Sequence, residues 1–179
     1  MAKPNVEEIS RLNRYFAIES NNEFWSLSES ELTQEEMQRL LTVSFSSLYH
    51  WSEVGTKENV ELANLAVARA LCINHSPLSV QFAQMAFSYF DGHGADWVQA
   101  FTNAVLSHAL LIVGDKAQSI EFYEKAITYQ SILSEGIKQF LIQPSIKSLT
   151  QGFNDNCITN ALRRIRNAWH LWLAVNVVI

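Results

Sequence analysis

Cysteine, proline, glycine and positive charge are all scarce in this chain of 179 residues, and each shortage narrows what the molecule can be. Two cysteines, Cys72 and Cys157, cannot build a disulfide-stapled scaffold, and neither stands at a metal-ligand spacing from another Cys or His. A chain of this length buries a sizeable core without such staples. Lys and Arg number 13 against 18 Asp and Glu, a net charge of −5. A nucleic-acid partner is therefore not expected, because affinity for a polyanion comes mostly from clustered Lys and Arg at the phosphates. The most apolar run, residues 168–179, is shorter than the roughly 20 residues that span a bilayer, and Asn176 interrupts it. No transmembrane helix is expected. Met1-Ala2-Lys3-Pro4 shows no signal-peptide pattern, and with two unpaired thiols in apolar contexts this points to the reducing cytoplasm.

Six glycines and three prolines fall between apolar segments rather than inside them, so the punctuation marks helices and gives strands little support. Val6, Ile9, Leu12 and Phe16 recur at helical spacing, as do Met37, Leu40, Leu41, Phe45, Leu48 and Trp51, which predicts helices near 4–19 and 34–53. Thr33 and Glu36 have the spacing of a capping box. Gly55 is expected in the left-handed conformation that ends the second helix, and Thr56 as the cap of the next. Further helices follow near 57–73, 77–90, 96–113 and 116–134. Pro144 breaks the segment 136–149, and a last helix near 155–176 carries Ile158, Leu162, Ile165, Trp169 and Trp172 on one stripe. The whole chain, 1–179, reads as one all-helical domain.

Short connections pair these helices, and two pairs superpose in sequence. Leu106, Ser107 and Leu110 precede the turn Gly114-Asp115, and Ser119, Tyr123 and Ala126 follow it, the tetratricopeptide order of large, small, large, turn, small, aromatic, small. Ala66, Val67, Ala70, Asn74, Ser79, Ala83 and Ala86 occupy the same offsets in the preceding pair. Ser79 and Ser119 stand 40 positions apart, more than the usual period of about 34, so 91–95 reads as a lengthened connection. The predicted architecture is all-α: tetratricopeptide-like stacked helix pairs, an α-α superhelix over about 34–135, closed by a C-terminal capping helix over about 136–179.

The block Ser47-Leu48-Tyr49-His50-Trp51-Ser52-Glu53-Val54-Gly55-Thr56 resembles a family of uncharacterised bacterial tetratricopeptide-like proteins with a Ser-x-x-His-Trp-x-x-Val-Gly-Thr block. Asn22 with Trp25, the helix start Thr33-Gln34-Glu35-Glu36, Arg69, Gly94-Ala95-Asp96-Trp97 and Gly114-Asp115 extend the resemblance over roughly 20–135. It implies the same helical-repeat fold and no assigned activity. Ala104, His108 and Val60 depart from it: a Glu, an Arg and a second Arg, respectively, would be expected there. Groove chemistry common to the family is not expected to transfer to this chain.

Several residues invite a chemical role. His50 and Glu53 stand three apart on one helix, where they could hold a metal or act as a base and its orienter; a di-metal site would require further Glu-x-x-His partners that the sequence lacks. The plainer reading is a histidine packed at a helix end beside a solvated carboxylate. Asp91, His93 and Asp96 crowd one loop but match no EF-hand or zinc spacing, and Asp96 suits a helix cap before Trp97. No metal and no cofactor are therefore expected. Residues 32–55 resemble a helix-turn-helix in outline, yet 45–51 offers no Arg or Lys to a base edge or phosphate. Nucleophile-elbow, phosphate-loop and dinucleotide motifs are absent.

These observations lead to a non-enzymatic protein-interaction or peptide-binding module. Its expected groove is lined by Phe101, Ala104, His108 and Leu111 from the better repeat, and by Glu61, Asn64 and Ala68 from the weaker one. The alternative is an enzyme or small-ligand sensor with a pocket formed by His50, Glu53, Arg69 and His108. The apolar end of the chain, with Arg163, Arg164 and Arg166 before Trp169, Leu171 and Trp172, further predicts a homodimer through the C-terminal helix.

Overall fold

A computed structural model describes residues 4–28 and 32–132. The predicted break at Pro144, the capping helix near 155–176, its dimer interface and Cys157 lie outside the described residues. Within them every regular element is an α-helix: α1 (Val6–Leu27), α2 (Gln34–Val54), α3 (Lys57–Ile73), α4 (Ser79–Phe90), α5 (Asp96–Ile112) and α6 (Lys116–Ile132). No helix among them is long and apolar enough to cross a membrane. The chain divides into two compact units, Met1–Tyr89 and Phe90–Ile179, with the boundary one residue inside the end of α4.

In the first unit, helix starts are written in side-chain caps. Asn5 and Glu8 form a capping box at α1, Thr33 and Glu36 one at α2, and Thr56 and Asn59 one at α3. Each satisfies backbone N–H groups that have no carbonyl one turn back. α1 runs on to Leu27, beyond the end expected near residue 19. The polar run Glu19-Ser20-Asn21-Asn22-Glu23 is a weak helix former, but Phe24 and Trp25 beyond it are buried, and that packing outweighs local propensity.

α1 and α2 lie antiparallel, joined by Ser20–Ser46 hydroxyls at 2.9 Å, Ser47 Oγ donating to the Ala17 carbonyl at 3.2 Å, and a two-pronged Arg39–Glu23 ion pair. Small Ala17 and Ser47, both fully buried, let the backbones approach at that crossing. α2 in turn packs on α3, and Asn74 at the end of α3 donates to Met37 O at the start of α2. Phe82 of α4 meets Phe45 of α2 edge to face, with centroids 5.7 Å apart.

The turn from α2 to α3 corrects the expectation for Gly55. Its φ of −84° and ψ of 166° are extended, not left-handed. Glycine is required there by crowding: a Cβ would stand 2.6 Å from the Trp51 carbonyl oxygen and 3.0 Å from both Asn59 Cβ and the Trp51 ring. The left-handed position falls instead at the end of α3, where His75 has φ 52°. Ser76 N–H bonds Leu71 O at 2.9 Å and His75 N–H bonds Cys72 O at 3.0 Å, the paired bonds of a Schellman ending.

In the second unit α5 and α6 form an antiparallel hairpin. The same Schellman bonds recur at its turn, from Asp115 N to Leu110 O and from Gly114 N to Leu111 O, with Gly114 at φ 84°. Asp115 then caps α6 by accepting from Gln118 N at 3.1 Å. Every residue of α5 from Trp97 to Leu110 is buried, so this helix is enclosed on all sides.

Candidate functional site

His50 is held from α1. Its Nδ1 lies 2.8 Å from Asn13 Oδ1, and its ring stands 5.4 Å from that of Phe16 and 5.1 Å from that of Tyr49. Asn13 can accept only if Nδ1 carries the proton, which leaves Nε2 as the acceptor of a neutral ring. Glu53, one turn on, is exposed and bonds to neither His50 nor Arg69. Arg69 itself is buried within α3. The first unit thus does not bring His50, Glu53 and Arg69 into one bonded cluster.

Glu61, Asn64 and Ala68 share a face of α3 and are all buried. Burial of a carboxylate demands partners, and Glu61 has two: Lys57 Nζ donates to Oε1 from one turn earlier, and Asn64 Nδ2 donates to Oε2 at 2.9 Å. Lys57 keeps most of its own surface in water. On α5, Phe101, Ala104 and His108 are buried and Leu111 is half-buried. Of the seven residues expected to line a groove, six are closed to solvent.

The loop between α4 and α5 is held by Gln99. Its Nε2 donates to the carbonyl of Phe90, which also accepts from His93 N at 2.8 Å, and to the carbonyl of His93, so the side chain ties the end of α4 to the loop. His93 Nδ1 donates to Asp91 O at 2.9 Å. Asp96 is not the cap of α5; that position is Ala95, and Asp96 sits in the first turn, where its charge meets the positive end of the helix dipole. Among the described residues no three His, Cys, Asp or Glu side chains are placed to hold a metal ion.

Two surfaces escaped the sequence reading. One is the apolar stripe of α1. Val6, Ile9, Leu12 and Phe16, spaced for a core, are 42 to 83% exposed, and Tyr15 and Tyr49 are open beside them. α1 and α2 pair Asn13 with His50, which puts Val54 at the end of α2 about level with Ile9, so the first turn of α1, with Val6, runs past α2, while Ile9, Leu12 and Phe16 lie beside it and are still exposed. Periodicity signals that a face is apolar but not what covers it. The other is a cavity of about 450 Å³ at the open end of the α5–α6 hairpin.

No family model, curated protein or solved structure matches the chain.

Proposed function

We propose that this chain is a tetratricopeptide-like interaction module whose binding face is the uncovered stripe of α1, and whose partner is an amphipathic helix of another protein. The observation that carries the reading is the exposure of Val6, Ile9, Leu12 and Phe16 together on three successive turns. A contiguous apolar face of this kind marks an interaction surface, and helical spacing suits the i, i+3, i+7 knobs of a second helix. Glu7, Glu8, Arg11 and Arg14 flank it, so the partner would carry charges of both signs beside its apolar stripe.

The repeat reading is supported by burial. Leu106, Ser107, Leu110, Ser119, Tyr123 and Ala126 are all buried, as are Ala66, Val67, Ala70, Ser79, Ala83 and Ala86 at the matching offsets. Burial of Glu61, Asn64, Ala68, Phe101, Ala104 and His108 favours the α1 face over a groove lined by those residues. The proposed kinship with the Ser-x-x-His-Trp-x-x-Val-Gly-Thr proteins rests on the His50 block, in which Ser47, His50, Gly55 and Thr56 each have a structural task.

The test is affinity capture from the cells of origin with a photo-crosslinking residue at Leu12, comparing the native chain with an Ile9→Glu, Phe16→Glu double variant. A crosslinked protein partner lost in the variant supports the reading. Equal capture by both sinks it.

A further inference from the structure

We infer that the helix received by the α1 face is a basic one, carrying Lys or Arg along both edges of its apolar stripe. The inference rests on the reading of that stripe as a binding face and adds the chemistry of its occupant. It concerns the first unit alone.

The face is wider than α1. Phe16 of α1 and Tyr49 of α2 both lay their rings against His50, so they stand on the same side of the helix pair. Tyr49 is 60% exposed there. The Asn13–His50 bond fixes the antiparallel register, which puts Glu53, three residues past His50, about level with Ser10, between Ile9 and Leu12. Glu53 also follows Tyr49 by four positions and so shares its side of α2. An apolar surface of Ile9, Leu12, Phe16 and Tyr49 is thus open across two helices.

Helical spacing decides which charges border it. Glu8 stands four positions before Leu12 and Glu19 seven after it, so both line the edge of the stripe away from α2, while Glu53 stands on the α2 edge. Arg11 is two positions from Ile9, and Arg14 is two from both Leu12 and Phe16, which turns them about 200° away from those residues. All three carboxylate side chains are exposed. Among the described residues none of the three enters an ion pair, and Arg39, the cation of α2, is held by Glu23. Glu8 accepts from Asn5 N–H, an uncharged donor that leaves its negative charge in place. His50, with Nδ1 given to Asn13, has an acceptor at Nε2.

The apolar surface makes the site, and the carboxylates select what fills it. An acidic helix would set like charges against Glu8, Glu19 and Glu53, and an uncharged one would strip them of water without replacing it. Lys and Arg suit both features: their heads reach the carboxylates, and their stems lie over the rings of Tyr15, Phe16 and Tyr49. The negative charge that such a helix carries for Arg11 and Arg14 lies further from its stripe. From Val6 to Glu19 the face rises about 20 Å, which fits a partner of about four turns.

Two labelled synthetic peptides of about 18 residues test the inference, with Leu at the same positions of one helical face and either Lys or Glu at the others. Fluorescence anisotropy follows their binding to the full chain. At low salt the Lys peptide is expected to bind about tenfold or more tightly than the Glu peptide, with the gap closing at high salt. Glu19→Lys and Glu53→Lys should each weaken the Lys peptide several-fold. Glu35→Lys makes the same change of charge at an exposed position about 27 Å along α2 from Glu53, and should leave binding unaltered. The double variant Ile9→Ser, Phe16→Ser keeps the charge and should weaken the Lys peptide more than tenfold.

Failure of the two readings is separable. No binding of either peptide, or binding that survives Ile9→Ser, Phe16→Ser, would remove the α1 face and this inference with it. Equal or tighter binding of the Glu peptide, indifference of the Lys peptide to both Glu19→Lys and Glu53→Lys, or an equal loss in Glu35→Lys would overturn the basic partner. If the apolar double variant still abolished binding in those cases, the α1 face would stand.

Discussion

Ser107 and Ser119 bond across the α5–α6 hairpin as mirror images: Ser107 Oγ donates to Ser119 O at 2.7 Å, and Ser119 Oγ donates to Ser107 O at 2.8 Å. The two hydroxyl oxygens are 3.2 Å apart, so the backbones approach closely enough that nothing larger than serine fits between them. Replacing either hydroxyl by Ser→Ala is expected to cost about 1 kcal/mol, the net worth of one buried hydrogen bond. Ser119→Val should cost more, about 1–3 kcal/mol, since it adds volume at the closest contact. Urea unfolding of the variants checks both, and an unchanged midpoint for Ser119→Val would mean that the hairpin is not packed at this pair.

Gly55 and His75 predict opposite outcomes for exchanges that involve glycine. Gly55 has an ordinary extended backbone, but an added Cβ would meet the Trp51 carbonyl oxygen at 2.6 Å, a backbone atom that cannot swing away. Gly55→Ala is expected to destabilise by about 1–3 kcal/mol, the usual cost of overpacking. His75 occupies the left-handed region at the end of α3, where a Cβ is penalised. His75→Gly should stabilise by a few tenths to about 1 kcal/mol, the relief of that strain less the extra freedom of glycine in the unfolded chain. Thermal melts with the signs reversed would contradict both backbone assignments.

The same two positions show what was legible in the sequence and what was not. The starts of α2 and α3 and the turn between α5 and α6 follow from local chemistry that touches only near neighbours: Thr33 with Glu36, Thr56, and Gly114-Asp115. Gly55 was misread because a crowding requirement and a left-handed one both select glycine. The end of α1 was misread because burial of Phe24 and Trp25 is a tertiary effect. Site residues were the least legible. Helical spacing put His108 and Phe101 on a definite face of α5, but no periodicity announces a helix buried on every face from Trp97 to Leu110.

Acid should weaken the α1–α2 contact. The side-chain hydrogen bond from Arg39 holds the Glu23 carboxyl below its ordinary value, aided by the guanidinium charge, although partial burial opposes the shift. A carboxyl whose folded pKa is depressed contributes stability that is full above its unfolded pKa and is lost as the pH falls through the folded value. The pair lies largely in solvent, so its contribution is small and screened by salt. Arg39→Met should therefore lower the urea midpoint slightly at neutral pH. Below the ordinary carboxylate range the difference from the native chain should vanish. A gap that persists unchanged in strong acid would show that Arg39 acts through packing of its stem rather than through Glu23.

His108 distinguishes a packing role from a binding one. On helical register alone it faces a groove, and its loss would then change partner affinity while leaving the fold intact. In the structure it is 3% exposed, on a helix whose neighbouring residues are buried on every side. Truncation to alanine removes an imidazole that no water can replace without entering the interior, and the surroundings close such a void only in part. His108→Ala is expected to cost about 2 kcal/mol or more, the range of large-to-small changes in a packed interior. His108→Gln, which retains volume and one polar end, should recover part of that loss. Measured by urea unfolding, a variant with an unchanged midpoint would return His108 to the solvent-facing groove and would weaken the argument that places the binding face on α1.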